Sequence, residues 1–248
     1  MSQKRGFPST WTANLPVQRV LERSDAPLDR GVWPATLAPI RSVFDDGFSP
    51  GAATVITGEN GVGKSTLVEA IAEAFGLNVE GGTTNVRHAT RAYESPLAHH
   101  LRLVRGPSAS RHGFFLRAET MHGLYTYLEE HADPAHPERL HELSHGESFL
   151  ELVESRSPVT GLWILDEPES ALSLSGCLAL IVLLRHLMAG GSQVILSTHS
   201  PVLAALPGAT LLELGEWGLR EVEYDEAQLV RGWRGFLEAP ERYLRHVL

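Results

Sequence analysis

Three short stretches of this chain carry side chains suited to binding phosphate and moving protons. The first is GENGVGKST at 58–66. Gly58, Gly61 and Gly63 permit backbone conformations that aim successive N–H groups at phosphate oxygens, so the binding set runs through Glu59, Asn60, Gly61, Val62, Gly63, Lys64, Ser65 and Thr66. The start of a following helix adds its partial positive charge. Lys64 is one of only two lysines in a chain that otherwise uses arginine, and a compact ammonium suits the β- and γ-phosphates of a nucleotide. The Ser65 hydroxyl is suited to ligate Mg²⁺.

The second stretch, LWILDEP (162–168), follows that loop by about 100 residues. An apolar run of this kind reads as a strand buried on both faces, and it delivers two carboxylates at its end. A buried pair without a task would be costly to desolvate. Asp166 is suited to hold Mg²⁺, and Glu167 to orient and deprotonate an attacking water. The third, STHSP (197–201), ends another buried run and puts His199 beside the other two strand ends, where it can meet a γ-phosphate. By contrast His131-x-Asp133-x-x-His136 offers metal-binding residue types but lies in a Pro-rich acidic loop. His99 and His100 read as surface residues.

The elements that must position these groups follow from hydrophobic period. AATVITG (52–58) is β-rich, and STLVEAIAEAF (65–75) has apolar positions at helical spacing, closed by Gly76 in the place of a C-cap glycine. GFFLR (113–117) is a second strand. Residues 119 to about 142 carry a helical pattern broken by HADPAHPE, and another helix follows LHELSHGESF (140–149). The run CLALIVLLRHLMAG (177–190) reads as a buried helix, QVILST (193–198) as a buried strand, and LLELGEWGLREVEY (211–224) as a hairpin turning near Gly215–Gly218. Strands alternating with helices predict an α/β fold around a largely parallel sheet. One domain over 1–248 with an inserted helical lobe at about 119–157 is the economical division of a chain this long.

Composition narrows the setting. Apolar residues make up 43% and charged residues 21% of the 248, with Cys177 the single cysteine. That excludes a disulfide framework and a thiolate metal site, and fits a reducing, cytoplasmic location. No run approaches the roughly 18 uninterrupted apolar residues of a membrane span. Net charge is −9, yet residues 87–117 hold six arginines (87, 91, 102, 105, 111, 117) against Glu94, a local +5. Such a segment is either a solvated face or a patch for the phosphates of a polyanion such as DNA.

With these residues in place the chain resembles the ABC-type ATPases. GENGVGKST is similar to their Walker A, LSHGE (143–147) to their signature, LWILDEP to their Walker B, SALS (170–173) to their D-loop, and His199 to their switch histidine. Within that superfamily it resembles stand-alone AAA/SMC-like ATPases with SHGES signatures and no membrane domain. The resemblance implies a P-loop fold with an N-terminal antiparallel β portion, ATP and Mg²⁺ as ligands, and ATP hydrolysis. It also implies a head-to-tail homodimer, in which Ser144 and Gly146 of one copy face the γ-phosphate held by the other. Ser144-x-x-Glu147 has capping-box spacing as well, so Glu147 can close the helix end while the serine, the Gly146 N–H and the helix dipole face phosphate.

Three departures bear on function. No glutamine occurs between Thr66 and Ser144, so the family's Q-loop position falls to Glu119, a further possible Mg²⁺ ligand, and coupling to a membrane partner is put in question. Ser173 stands where the D-loop usually has Asp. No aromatic is set by spacing to stack on adenine; Trp33 is available for it, with a core position the first expectation. The function expected is therefore a Mg²⁺-dependent ATPase working as an ATP-bound homodimer, with action on DNA through the 87–117 arginines as an extension of that reading. The alternative is the nucleotide-binding subunit of a membrane transporter.

Overall fold

The computed structural model describes residues 14–78, 82–83, 97–118 and 145–245. Glu119, Ser144, the two arginines at 87 and 91, the His131–Asp133–His136 group and most of the expected helical lobe lie outside them. The described chain runs β1 (Arg19–Glu22), α1 (Ala38–Asp46), β2 (Ala53–Gly58), α2 (Lys64–Phe75), β3 (Gly82–Thr83), β4 (Leu101–Val104), β5 (Gly113–Arg117), α3 (His145–Arg156), β6 (Leu162–Asp166), α4 (Leu174–Ala189), β7 (Gln193–Ser197), α5 (Pro201–Ala204), β8 (Thr210–Gly215), β9 (Gly218–Glu221), α6 (Gln228–Glu238) and α7 (Pro240–Leu244).

Among these, seven strands form one sheet in the order β3-β5-β6-β7-β2-β8-β9. The five inner strands are parallel, and β3 and β9 pair antiparallel at the edges. Strands β6 and β7 are buried along their whole length, which is why residues 162–165 and 194–196 are apolar without a break rather than alternating. Their side chains still alternate between faces. Trp163 and Leu165 join the core beneath α3 and α4, whereas Leu162 and Ile164 join the core beneath α1 and α2.

The antiparallel β portion is the pair β1–β4, of which only β1 is N-terminal. The buried Gln193 side chain ties the segment preceding β1 to the sheet, accepting from the Val17 N–H and donating to the Val17 and Gly51 carbonyls at 2.8, 2.8 and 2.9 Å. Helix α3 is fastened by Phe149, Leu152 and Val153, all fully buried, each contributing about 1.5–3 kcal/mol by removal from water.

Two expectations are corrected here. Helix α4 is not buried all round: Cys177, Leu180, Leu184 and Leu187 face the core, whereas Leu178 and Val182 are 53% and 67% exposed. A helix lying on one face of a sheet buries one stripe, whatever its overall composition. Trp33 is 64% exposed rather than a core residue. Beyond the hairpin, which forms as expected, α6 and α7 occupy a stretch for which the sequence reading assigned no element.

Candidate functional site

The phosphate loop is built on glycines that no other residue could replace without strain. Gly58, Gly61 and Gly63 have φ of 149°, 80° and 101°, values open to glycine and costly for residues with a Cβ. At Gly58 a Cβ would also meet the Leu214 carbonyl oxygen at 2.6 Å. Leu37 and Ile40, at the start of α1, back the loop against Gly63. The first helical acceptor of α2 is the Gly63 carbonyl, which receives the Leu67 N–H at 3.0 Å. The N–H groups of Lys64, Ser65 and Thr66 therefore precede the helical ladder and are open to an anion.

Parallel pairing lines up the strand ends. Arg117, Asp166, Ser197 and Ile56 are successive partners across β5, β6, β7 and β2. Asp166, with a side chain only 2% exposed, accepts at Oδ1 from the Ser197 hydroxyl and, at 3.2 Å, from the Ser65 hydroxyl. Its Oδ2 lies 3.5 Å from Arg117 Nε, while the same guanidinium pairs with Glu69 of α2 at 2.6 Å. Burial pushes the Asp166 carboxyl up from its ordinary range, against the lowering influence of Ser197 and Arg117. A desolvated carboxylate with a hydroxyl beside it is a hard-oxygen pair of the kind Mg²⁺ takes. Ser65 and Asp166 therefore fit the metal assigned to them.

Immediately after β6 the backbone turns sharply. Glu167 has φ 49°, the sole non-glycine with positive φ among the described residues. Such a conformation costs about 1–3 kcal/mol and persists where the surroundings over-determine it. Its N–H is held by the Ser197 carbonyl at 3.0 Å, and its carbonyl accepts from the Ser170 hydroxyl at 2.6 Å. This turn carries the Glu167 carboxylate back toward His199, 3.3 Å from Nε2, and toward Lys64, 3.9 Å from Nζ.

Lys64 is 3% exposed and uses its donors fully: the Gly58 and Glu59 carbonyls at 3.1 Å each, and His199 Nε2 at 2.6 Å. An ammonium has three protons and no acceptor, so these three partners account for all of them. Burial pushes its pKa down, while the carboxylates of Glu167, Asp166 and Glu169 act in the opposite direction. Lys64, Glu167 and His199, taken from three separate strand ends, thus meet in one charged cluster.

The remaining assignments fare unevenly. Gly146 stands in the first turn of α3 against the Ala171 carbonyl of the turn after β6, and Glu147 is exposed beside it. Ser144 and Glu119 are outside the described residues, as is the His131 group. Of the arginines proposed for a polyanion patch, Arg117 is turned to Glu69 and Asp166, and Arg105 lies 4.1 Å over the Phe75 ring and donates to the Phe75 carbonyl at 2.9 Å. Arg102 and Arg111 are exposed. His99 is exposed as expected, but His100 is half-buried, its Nδ1 2.8 Å from the Ala26 carbonyl. Arg117, Ser197 and Glu69 were missed as neighbours of the site; only the order of strands, which spacing does not carry, brings them to Asp166.

The family model and the similar sequences agree on one family. The family model described as ABC transporter matches residues 46–170. A cytochrome c biogenesis ATP-binding export protein, CcmA, of Rhodopseudomonas palustris is 34% identical over 179 residues, covering 65% of this chain and 86% of the relative. The protein of that name from Rhodospirillum rubrum is 30% identical over 189 residues, covering 67% and 75%. Among solved structures, the SMC head domain from Thermotoga maritima is similar at 15% identity with a TM-score of 0.46, covering 84% of this chain and 100% of that one.

Proposed function

Because this chain belongs to the ABC transporter family of ATPases, we propose that it is the ATP-hydrolysing subunit of an exporter. Two copies would close head to tail over ATP at the cytoplasmic face of a membrane-embedded partner. ATP binding and hydrolysis come with the family; the division of labour among residues and the partner are the proposal.

The observation that carries it is the convergence of Lys64, Glu167 and His199 beside the Ser65–Asp166 pair. Lys64 and the N–H groups from Glu59 to Thr66 bind the phosphates. Ser65 and Asp166 hold Mg²⁺, with Glu119 available as a further oxygen ligand. When bound, the metal would neutralise charge on the phosphates. Glu167, aimed by its left-handed turn, accepts a proton from the attacking water, and His199 contacts the γ-phosphate. Ser144 and Gly146 of the second copy complete the site, with Glu147 closing that helix end.

The exporter reading draws on relatives named as ATP-binding export proteins. No helix among the described residues is long and apolar enough to cross a membrane, and this reading assigns the transport path to the membrane-embedded partner. The DNA-acting reading is less favoured, because Arg105 and Arg117 spend their guanidinium groups inside the fold. Affinity purification from solubilised membranes tests the choice. A polytopic membrane protein should co-purify and raise ATP turnover. Turnover raised by double-stranded DNA, with no membrane partner recovered, would replace the exporter with the DNA reading.

A further inference from the structure

We propose that Glu169 is a positioning residue for hydrolysis: its carboxylate fixes the main chain at His199 and thereby sets the imidazole against Glu167 and Lys64. The proposal rests on the roles given above to Glu167 and His199.

His199 lies just past the end of β7, where the sheet no longer supplies partners. The Thr198 N–H still reaches the Ile56 carbonyl of β2 at 3.0 Å. The next N–H, that of His199, goes instead to Glu169 Oε1 in a short, charge-assisted hydrogen bond. One residue on, the Ser200 N–H turns back to the Thr198 hydroxyl at 2.9 Å. Glu169 is thus the side chain that holds the main chain where strand order ends and the imidazole departs.

Glu169 is itself firmly held. It sits in the 3-10 turn Pro168–Ala171, its carbonyl accepts from the Leu172 N–H at 3.1 Å, and the turn is pinned to β7 through the Glu167 N–H and the Ser197 carbonyl. Two glutamates on one tight turn therefore flank His199: the Glu167 carboxylate lies 3.3 Å from Nε2, the ring nitrogen that Lys64 meets, and Glu169 takes the backbone N–H. A shift of the turn would move the base and the histidine together, so their mutual spacing is preserved.

A double-mutant cycle on ATP turnover decides the matter. E169A should lower kcat about tenfold or more, as loss of a charge-assisted hydrogen bond predicts, with the KM for ATP within about threefold of wild type. E169Q keeps the acceptor and should stay within about threefold of wild type. E169D keeps the charge but withdraws the oxygen by one methylene, and should lose turnover as E169A does. In an H199A background, E169A should change kcat by less than about threefold. An equal loss in both backgrounds, or an E169Q as impaired as E169A, overturns the positioning role while leaving that of His199 standing. If H199A alone turns over normally, the role of His199 fails first and the proposal falls with it. Should E169A fail to fold, as thermal melting would report, the E169Q and E169D pair decides: a fully active E169D overturns the proposal.

Discussion

The ends of β2, β6 and β7 and the arginine-bearing stretch around β4 and β5 are both rich in charge, yet they use it in opposite ways. At the strand ends, Lys64, Glu167 and His199 come from three elements far apart in sequence and meet within hydrogen-bonding or ion-pairing reach, while Asp166 beside them takes Ser65 and Ser197. Along 102–117 the arginines are close in sequence and diverge in space. Arg105 stacks on Phe75, Arg117 turns to Asp166 and Glu69, and Arg102 and Arg111 face solvent. Density of one charge along a chain is therefore a poor guide to a binding surface. Register across a parallel sheet is a good one, because it places unlike elements at a common edge.

The contrast breaks most readily at Glu167. Glu167→Gln should lower steady-state turnover by about 10² or more, the usual worth of a general base, while nucleotide affinity measured by titration stays near wild type. Normal turnover in this variant would remove Glu167 from the reaction.

Asp166→Asn should come next, abolishing most Mg²⁺-dependent hydrolysis without lowering the thermal midpoint at neutral pH. Because burial raises the Asp166 pKa, the folded state holds that proton more tightly than the unfolded chain does. The group's favourable contribution is therefore present in acid and lost as pH rises above the ordinary value of 3.8. The asparagine variant lacks that loss, so its stability relative to wild type should improve from pH 4 toward pH 7 in melting curves.

Arg117→Met sharpens the comparison from the other side. Removing a guanidinium shared by two carboxylates should reduce turnover about tenfold and lower stability by about 1–3 kcal/mol, since Asp166 and Glu69 lose a charged partner. A variant with normal turnover and altered DNA retention would return Arg117 to the surface patch. Smallest of all, Arg102→Ala combined with Arg111→Ala should leave ATPase rate unchanged and stability within about 0.5 kcal/mol per site. DNA binding by the parent that fell steeply with salt, and vanished in this pair, would restore the polyanion reading.

Much of the site was legible before any fold was in view, for a physical reason. A glycine loop between a strand and a helix, and carboxylates after a fully apolar run, are local patterns whose chemistry follows from the residues themselves. GFFLR, LWILD and the hairpin at 210–221 likewise formed where period and turn residues placed them. What stayed hidden depended on long-range order. That Arg117 faces Asp166 follows from β5 lying beside β6, and that Ser197 joins them follows from β7 lying beyond it. Which stripe of α4 is buried depends on the sheet beneath it, since its apolar residues surround the whole helix. Trp33, read as a core residue from its type alone, is exposed because aromatic character does not choose a side.

The central claim is that these strand ends form one half of a hydrolytic site completed by a second copy. Its most direct test is the mass of Glu167→Gln by light scattering on size-exclusion chromatography, with ATP and Mg²⁺ and then with ADP. A dimer is expected with ATP, returning to monomer with ADP and in a Ser144→Arg, Glu167→Gln double variant that still binds ATP. A monomer in ATP that has the nucleotide bound, or a dimer indifferent to both nucleotide and Ser144, would contradict it.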